Sequence, residues 1–221
     1  LLALRDAVEA GQISVVLQPQ VDLLTHRVTG VEALARWYKA DGSMVPPLSF
    51  IPLAEATGYI LPLGDLLMRL SLRAAKQLAD AGYGHVRVAV NVSEPQLQQH
   101  YFIERFSTHL QMTGVLPTQV EVEITESVAM RSFDVVCEKL SALRAMGVEV
   151  AIDDFGTGFS SLSYLQSLPA DRLKIDRSFV MEIGAVSDQQ MIAEAVIQIA
   201  SRVGMRVIAE GVETQHQADW M

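Results

Sequence analysis

"GVEVAIDD", residues 147–154, is a strand-length apolar run that ends on two adjacent carboxylates, Asp153 and Asp154. Val148, Val150 and Ile152 favour a pleated strand, and the glycine before them marks where a preceding helix stops. The pattern recurs along the chain. "HVRVAVNVS" (85–93), "QVEVEITES" (119–127), "ADRLKID" (170–176) and "GMRVIAEGVE" (204–213) are short β-rich runs, most of them preceded by an amphipathic helical stretch. Two of those helices have readable ends: "DLLMRLSLRAAKQLADAGYG" (65–84) stops at Gly82 and Gly84, and "SDQQMIAEAVIQIASRVG" (187–204) runs from a Ser187 or Asp188 cap to Gly204. Strands alternating with helices predict βα repetition, and hence an α/β fold with a largely parallel sheet.

The start of the chain breaks that rule. "ISVVLQP" (13–19) and "RVTGVEALARW" (27–37) read as strands joined by a polar turn at Thr25 and His26, which is short enough only for an antiparallel pair. Residues 38–58 carry turn residues, then Pro46 and Pro47, then a short helix, and are expected to form a long excursion above the sheet. Seven strands are counted in 221 residues, a length that suits one barrel-type domain over residues 1–221, and no low-complexity linker interrupts it. An eighth strand is missing. A seven-stranded open barrel exposes two edges, and the chain opens on Leu1 in place of Met, so the natural protein is expected to be longer.

Composition excludes several classes of function. A formal charge of −9, from 26 acidic and 17 basic residues, leaves no basic stripe for polymeric nucleic acid. No apolar run approaches the roughly 20 residues of a membrane span. The five histidines form no pair at ligand spacing such as H-x-x-x-H, so a histidine-zinc site has little support. The single cysteine, Cys137, shares helical spacing with Val136, Leu140 and Leu143 and is expected to be a core thiol.

Polar residues fall where the strands end: Glu32, Asn91, Glu123 with Glu126, Asp153 with Asp154, Lys174, and Glu210 with Glu213. In a (β/α) barrel the carboxyl ends of the strands surround one mouth, so these groups are expected to converge. Any one of them alone could cap a helix or pair on the surface; their recurrence at strand ends favours a shared ionic site. Clustered carboxylates repel unless a cation sits among them, and an all-oxygen set with one amide suits Mg²⁺, Mn²⁺ or Ca²⁺. "DFG" (154–156) lacks the other kinase motifs, and "GTGFSS" (156–161) lacks the lysine of a P-loop.

These residues lie in motifs that together resemble the EAL domain, a bacterial phosphodiesterase of the second messenger cyclic di-GMP. They are "LQPQVDL" (17–23), "EALAR" (32–36), "FIPLAEATG" (50–58), "NVS" (91–93), "EITES" (123–127), "IDDFGTGFSSLSYL" (152–165), "LKID" (173–176) and "IAEGVET" (208–214). The resemblance implies a modified TIM (β/α)8 barrel with an antiparallel second strand, the last strand being absent from this chain. It implies hydrolysis of cyclic di-GMP to linear pGpG by two ions, Mg²⁺ or Mn²⁺, with Ca²⁺ inhibitory. Glu32, Asn91, Glu123 and Asp153 correspond to the ligands of the first ion, and Asp153 and Asp154 to those of the second, with Glu210 touching that ion or its water. Lys174 corresponds to the lysine that orients the attacking water. Glu126 corresponds to the glutamate that fixes the loop after Asp154, where Gly156 and Gly158 permit a tight turn. Arg36 matches a phosphate-binding arginine, Gln18 and Leu34 line the nucleotide groove, and Glu213 matches a residue behind the site.

The family's last strand carries a supporting glutamine that this chain does not reach, and Gln20 departs from the apolar or basic residue usual after "QP". The resemblance further implies a cytoplasmic, commonly dimeric module of larger bacterial proteins that control biofilm and motility. GGDEF, PAS or receiver domains lie beside it, and regions outside this chain tether some of these proteins to the inner membrane. Two other readings are a cyclic di-GMP receptor without turnover, which requires loss of a ligand or the lysine, and a sugar-phosphate barrel enzyme, which predicts none of these motifs together.

Overall fold

The computed structural model describes residues 1–156, 162–184 and 188–221, and the chain divides into two compact units. The first comprises residues 1–21 and 28–121, the second residues 22–27 and 122–221.

The first unit begins with helix α1 (Leu2–Glu9), followed by strands β1 (Ile13–Val21) and β2 (Val28–Tyr38). β1 and β2 pair antiparallel, as the short turn requires, with Gln18 opposite Glu32, Val16 opposite Leu34 and Ser14 opposite Arg36. Residues 38–58 do more than loop out. Met44–Val45 forms a two-residue strand, β3, against Trp37 and Tyr38 before α2 (Pro47–Ala56) begins. Pro46 and Pro47 stop this strand and start the helix, where a missing N–H is harmless. Helix α3 (Ile60–Leu78) buries Ile60, Leu63, Met68, Leu72 and Ala75 on one face. Strand β4 (Arg87–Asn91) lies parallel to β2, with Glu32 opposite Ala89. Helices α4 (Glu94–Leu97) and α5 (Phe102–Thr113) lead to β5 (Val120–Thr125), which passes from the first unit to the second at Glu121–Val122. The core around α1 and α2 holds Leu4, Ile13, Trp37, Phe50 and Leu63, with the Trp37 and Phe50 rings edge-on at 5.7 Å. Burying side chains of this size stabilises by about 1.5–3 kcal/mol each.

The second unit continues with α6 (Glu126–Met130), α7 (Phe133–Ala145), β6 (Glu149–Phe155), α8 (Leu162–Ser167), β7 (Arg172–Ile175), α9 (Arg177–Met181), α10 (Asp188–Val203), β8 (Arg206–Ala209) and α11 (Gln215–Trp220). β6, β7 and β8 run parallel and adjacent. Their central residues, among them Val150, Ile152, Leu173 and Ile175, are buried, as expected for strands covered on both faces. At the amino ends Glu149 receives Arg172 at 3.1 Å and Arg206 at 2.8 Å, which ties three strand starts together on the side away from Asp153.

Among the described residues seven principal strands appear as the sequence pattern predicts, with the short β3 in addition. Cys137 corrects an expectation. α7 turns Val136, Leu140 and Leu143 inward, and Cys137, the residue after Val136 and about 100° further around the helix, is only half-buried. Partial burial, aided by Asp134, raises its thiol pKa, which disfavours the reactive thiolate.

Candidate active site

A bulge answers the question that the paired aspartates raise. Ile152 lies opposite Leu173 and Phe155 opposite Ile175, so two residues of β6, Asp153 and Asp154, face the single residue Lys174 of β7. The extra residue is accommodated at Asp154, whose φ of 53° lies in the left-handed region that Asp tolerates better than most side chains. The Asp154 amide donates to its neighbour's Oδ1 at 2.8 Å. Strand alternation would send adjacent side chains to opposite faces, and the bulge removes that constraint. As a result Asp153, Asp154 and Glu210 offer carboxylate oxygens within 4.8 Å of one another, a spacing that can hold a metal ion.

Lys174 sits among the acids, 1% exposed. Its Nζ lies 2.9 Å from Glu123 Oε2, 3.1 Å from Asp153 Oδ2 and 2.7 Å from Glu210 Oε1. Glu123 comes from β5, Asp153 from β6 and Glu210 from the residue after β8, so neighbouring strands deliver these charges to one place. Beneath the bulge, Glu126 is 3% exposed and its Oε2 accepts the Gly156 N–H at 2.8 Å. Thr125 caps the helix that carries Glu126, accepting from the Val128 amide.

The first unit presents its own set. On β2, Glu32, Leu34 and Arg36 alternate onto one face, and Gln18 on β1 is directly opposite Glu32. The Asn91 side-chain amide, at the end of β4, donates to Glu32 Oε1 at 2.8 Å. Glu32 and Arg36 are four strand residues apart, about 13–14 Å, so one face of the ribbon carries an acid toward one end and a cation toward the other, with a leucine between.

Glu213 is more than half exposed and pairs with Arg177 at 2.8 Å. Gly158, with most of "GTGFSS", lies outside the described residues, as does the Ser187 cap. Arg177 and Phe179 contact the turns of Gly211 and Gly156 and were not singled out by the sequence. The signal available was a glycine directly after Glu210, which indicates close approach by another group.

The EAL domain model matches residues 2–221. The chain belongs to the EAL domain family. It is 38% identical over 218 residues to the bifunctional diguanylate cyclase/cyclic di-GMP phosphodiesterase MucR of Pseudomonas aeruginosa, covering 99% of this chain and 32% of MucR. It is 40% identical over 214 residues to the cyclic di-GMP phosphodiesterase NbdA of the same organism, covering 97% of this chain and 27% of NbdA. This EAL chain therefore spans about a third or less of the length of these relatives. Among solved structures, the MucR phosphodiesterase in complex with c-di-GMP superposes with a TM-score of 0.94 at 38% identity, over 98% of this chain and 88% of the other. The EAL domain of Mycobacterium smegmatis DcpA gives 0.79 at 35% identity, over 94% and 85%. These likenesses bear out the expected fold class, an α/β EAL fold of the modified TIM-barrel type with β1 and β2 antiparallel. Among the described residues, no helix is long and apolar enough to cross a membrane.

Proposed function

We propose that residues 1–221 form the catalytic EAL domain of a longer bacterial signalling protein, and that it hydrolyses cyclic di-GMP to linear pGpG with two divalent ions. The observation that carries this reading is the bulge that gathers Asp153, Asp154 and Glu210 beside a buried lysine. Glu123, Asp153 and Glu210 around one ammonium, with Asp154 alongside, carry an excess of negative charge, which a hard cation offsets. The donor set fits Mg²⁺ or Mn²⁺: Asp153, Asp154 and Glu210 would hold one ion. The family likeness joins Glu32 and Asn91 to Glu123 and Asp153 as ligands of the other. Bound there, such ions supply Lewis acidity and neutralise the phosphodiester charge.

The chain's own residues do the rest. Lys174, with three N–H donors, orients the attacking water and holds its carboxylate partners in place. Glu210 accepts a hydrogen bond from that water and Arg36 pairs with a substrate phosphate, while Gln18 and Leu34 border the guanine bases. Glu126 fixes the Asp154–Gly156 turn from below, and Glu213 holds the turn after Glu210. Ca²⁺, larger and less demanding in geometry, should occupy the site without turnover. The module acts in the cytoplasm, as a dimer, beside GGDEF, PAS or receiver domains.

The test is chromatographic: cyclic di-GMP incubated with the protein in Mg²⁺, Mn²⁺, Ca²⁺ or chelator, with Glu32→Ala alongside. The reading predicts pGpG in Mg²⁺ and Mn²⁺ only, and none from the variant. Tight binding without product would instead mark a receptor.

A further inference from the structure

Helix α9 begins two residues after β7, whose third residue is Lys174, and Asp176 caps it by accepting the Ser178 amide at 3.0 Å. Two side chains of this five-residue helix reach sideways to the two turns that flank Lys174. The ring of Phe179, 7% exposed, covers Gly156. A Cβ on that glycine would lie 3.1 and 3.3 Å from ring carbons Cε2 and Cζ and 3.7 Å from Ile192 Cγ2 of α10. Gly156 adopts φ +98° and its N–H donates to Glu126, so its turn meets both a carboxylate and a ring.

Arg177 treats the turn after Glu210 in the same way. Gly211 adopts φ +70°, and a Cβ there would lie 2.4 Å from Arg177 Cγ and 3.0 Å from its Cβ and Cδ. The guanidinium then reaches Glu213 at 2.8 Å and the Met181 sulfur at 3.2 Å. Arg177 and Glu213 are 57% and 60% exposed, so the ion pair alone contributes little. The aliphatic stem lying on Gly211 is the closer constraint.

We propose that α9 is a brace: Phe179 and Arg177 are positioning residues that hold the Asp153–Asp154 turn and the Glu210 turn in register with Lys174. One short helix, anchored to the lysine's own strand, thereby holds each of the two turns separately. For its kinetic arm the inference rests on the phosphodiesterase reading, whereas its backbone arm does not.

The experiment uses the whole protein with Phe179→Leu, Phe179→Ala, Arg177→Ala and Arg177→Lys, measuring backbone ¹⁵N relaxation, Mn²⁺ affinity by electron paramagnetic resonance, and steady-state kinetics. Phe179→Ala should loosen Asp154 and Gly156 while leaving Glu210 and Gly211 rigid, and Arg177→Ala should do the converse. Each should weaken Mn²⁺ binding and lower kcat about ten- to a hundredfold with KM little changed, as expected for lost orientation. Phe179→Leu, which keeps apolar bulk, should show the same local pattern more weakly even where the alanine variant fails to fold. Arg177→Lys keeps the stem and should restore most of the loss. Uniform loosening of both turns by either variant, or unchanged relaxation and Mn²⁺ affinity in both, would overturn the brace. A wild-type protein without turnover but with the turn-specific relaxation pattern would overturn the activity and leave the brace standing.

Discussion

Lys174 Nζ lies 2.7 Å from Glu210 Oε1, across the neighbouring strands β7 and β8. Glu123 and Asp153 stand at 2.9 and 3.1 Å, so three carboxylates surround one ammonium. With Glu123 and Lys174 almost entirely buried, each charge depends on the others. The lysine is at once a structural counter-charge and a hydrogen-bond donor to carboxylates that would bind metal.

Lys174→Met should therefore have two separable effects. Turnover of cyclic di-GMP should fall by about 10²-fold or more, the range for loss of a positioned acid–base group. Without metal the variant should lose about 3–5 kcal/mol of stability, because buried carboxylates are left without their cation. Urea unfolding with chelator and with Mn²⁺ checks the second effect, and Mn²⁺ should return part of the loss.

Glu126→Gln tests the support beneath the bulge. The amide is similar in size but replaces a charged acceptor of the Gly156 N–H, and a hydrogen bond to a charged group contributes about 1.5–3 kcal/mol. Mn²⁺ affinity and kcat should each drop about tenfold, and Tm should fall by a few degrees. Unchanged Mn²⁺ affinity, measured calorimetrically, would show that the turn holds without Glu126.

Part of this candidate site was legible because Asn91, Asp153, Asp154, Lys174 and Glu210 fall at or near the carboxyl ends of apolar strands, whereas Glu32 lies mid-way along β2. The bulge was not legible. Period-two reading of "GVEVAIDD" assigns Asp153 and Asp154 to opposite faces, and only the pairing with β7 reveals the extra residue. β3 escaped because two residues carry no periodicity, and Phe179 because a ring on a five-residue helix reads as ordinary core. Cys137 differs from expectation because it shares the helical spacing yet sits one position beyond Val136, off the buried face.

Asp65, on α3, provides a pH-dependent test far in sequence from the metal ligands. Burial alone would raise its pKa, but the hydrogen bond from His109 at 2.8 Å and the charges of His109, Arg105 and Arg69 outweigh it and hold the carboxyl below its ordinary value. A depressed carboxylate pKa stabilises the fold above the unfolded-state value and loses that effect as pH falls through the folded-state value. Asp65→Asn should be less stable than wild type at pH 7, and the gap should shrink as pH drops below about 4. Urea midpoints at several pH values check this, and a gap independent of pH would contradict it.

The most direct test counts ions and turnover together. Mn²⁺ bound per chain is measured by electron paramagnetic resonance, and pGpG formation by chromatography, in wild type and Asp154→Asn. The account predicts two ions and metal-dependent turnover in the wild type, and one ion with turnover lost in the variant. Two ions with undiminished turnover in Asp154→Asn would contradict it.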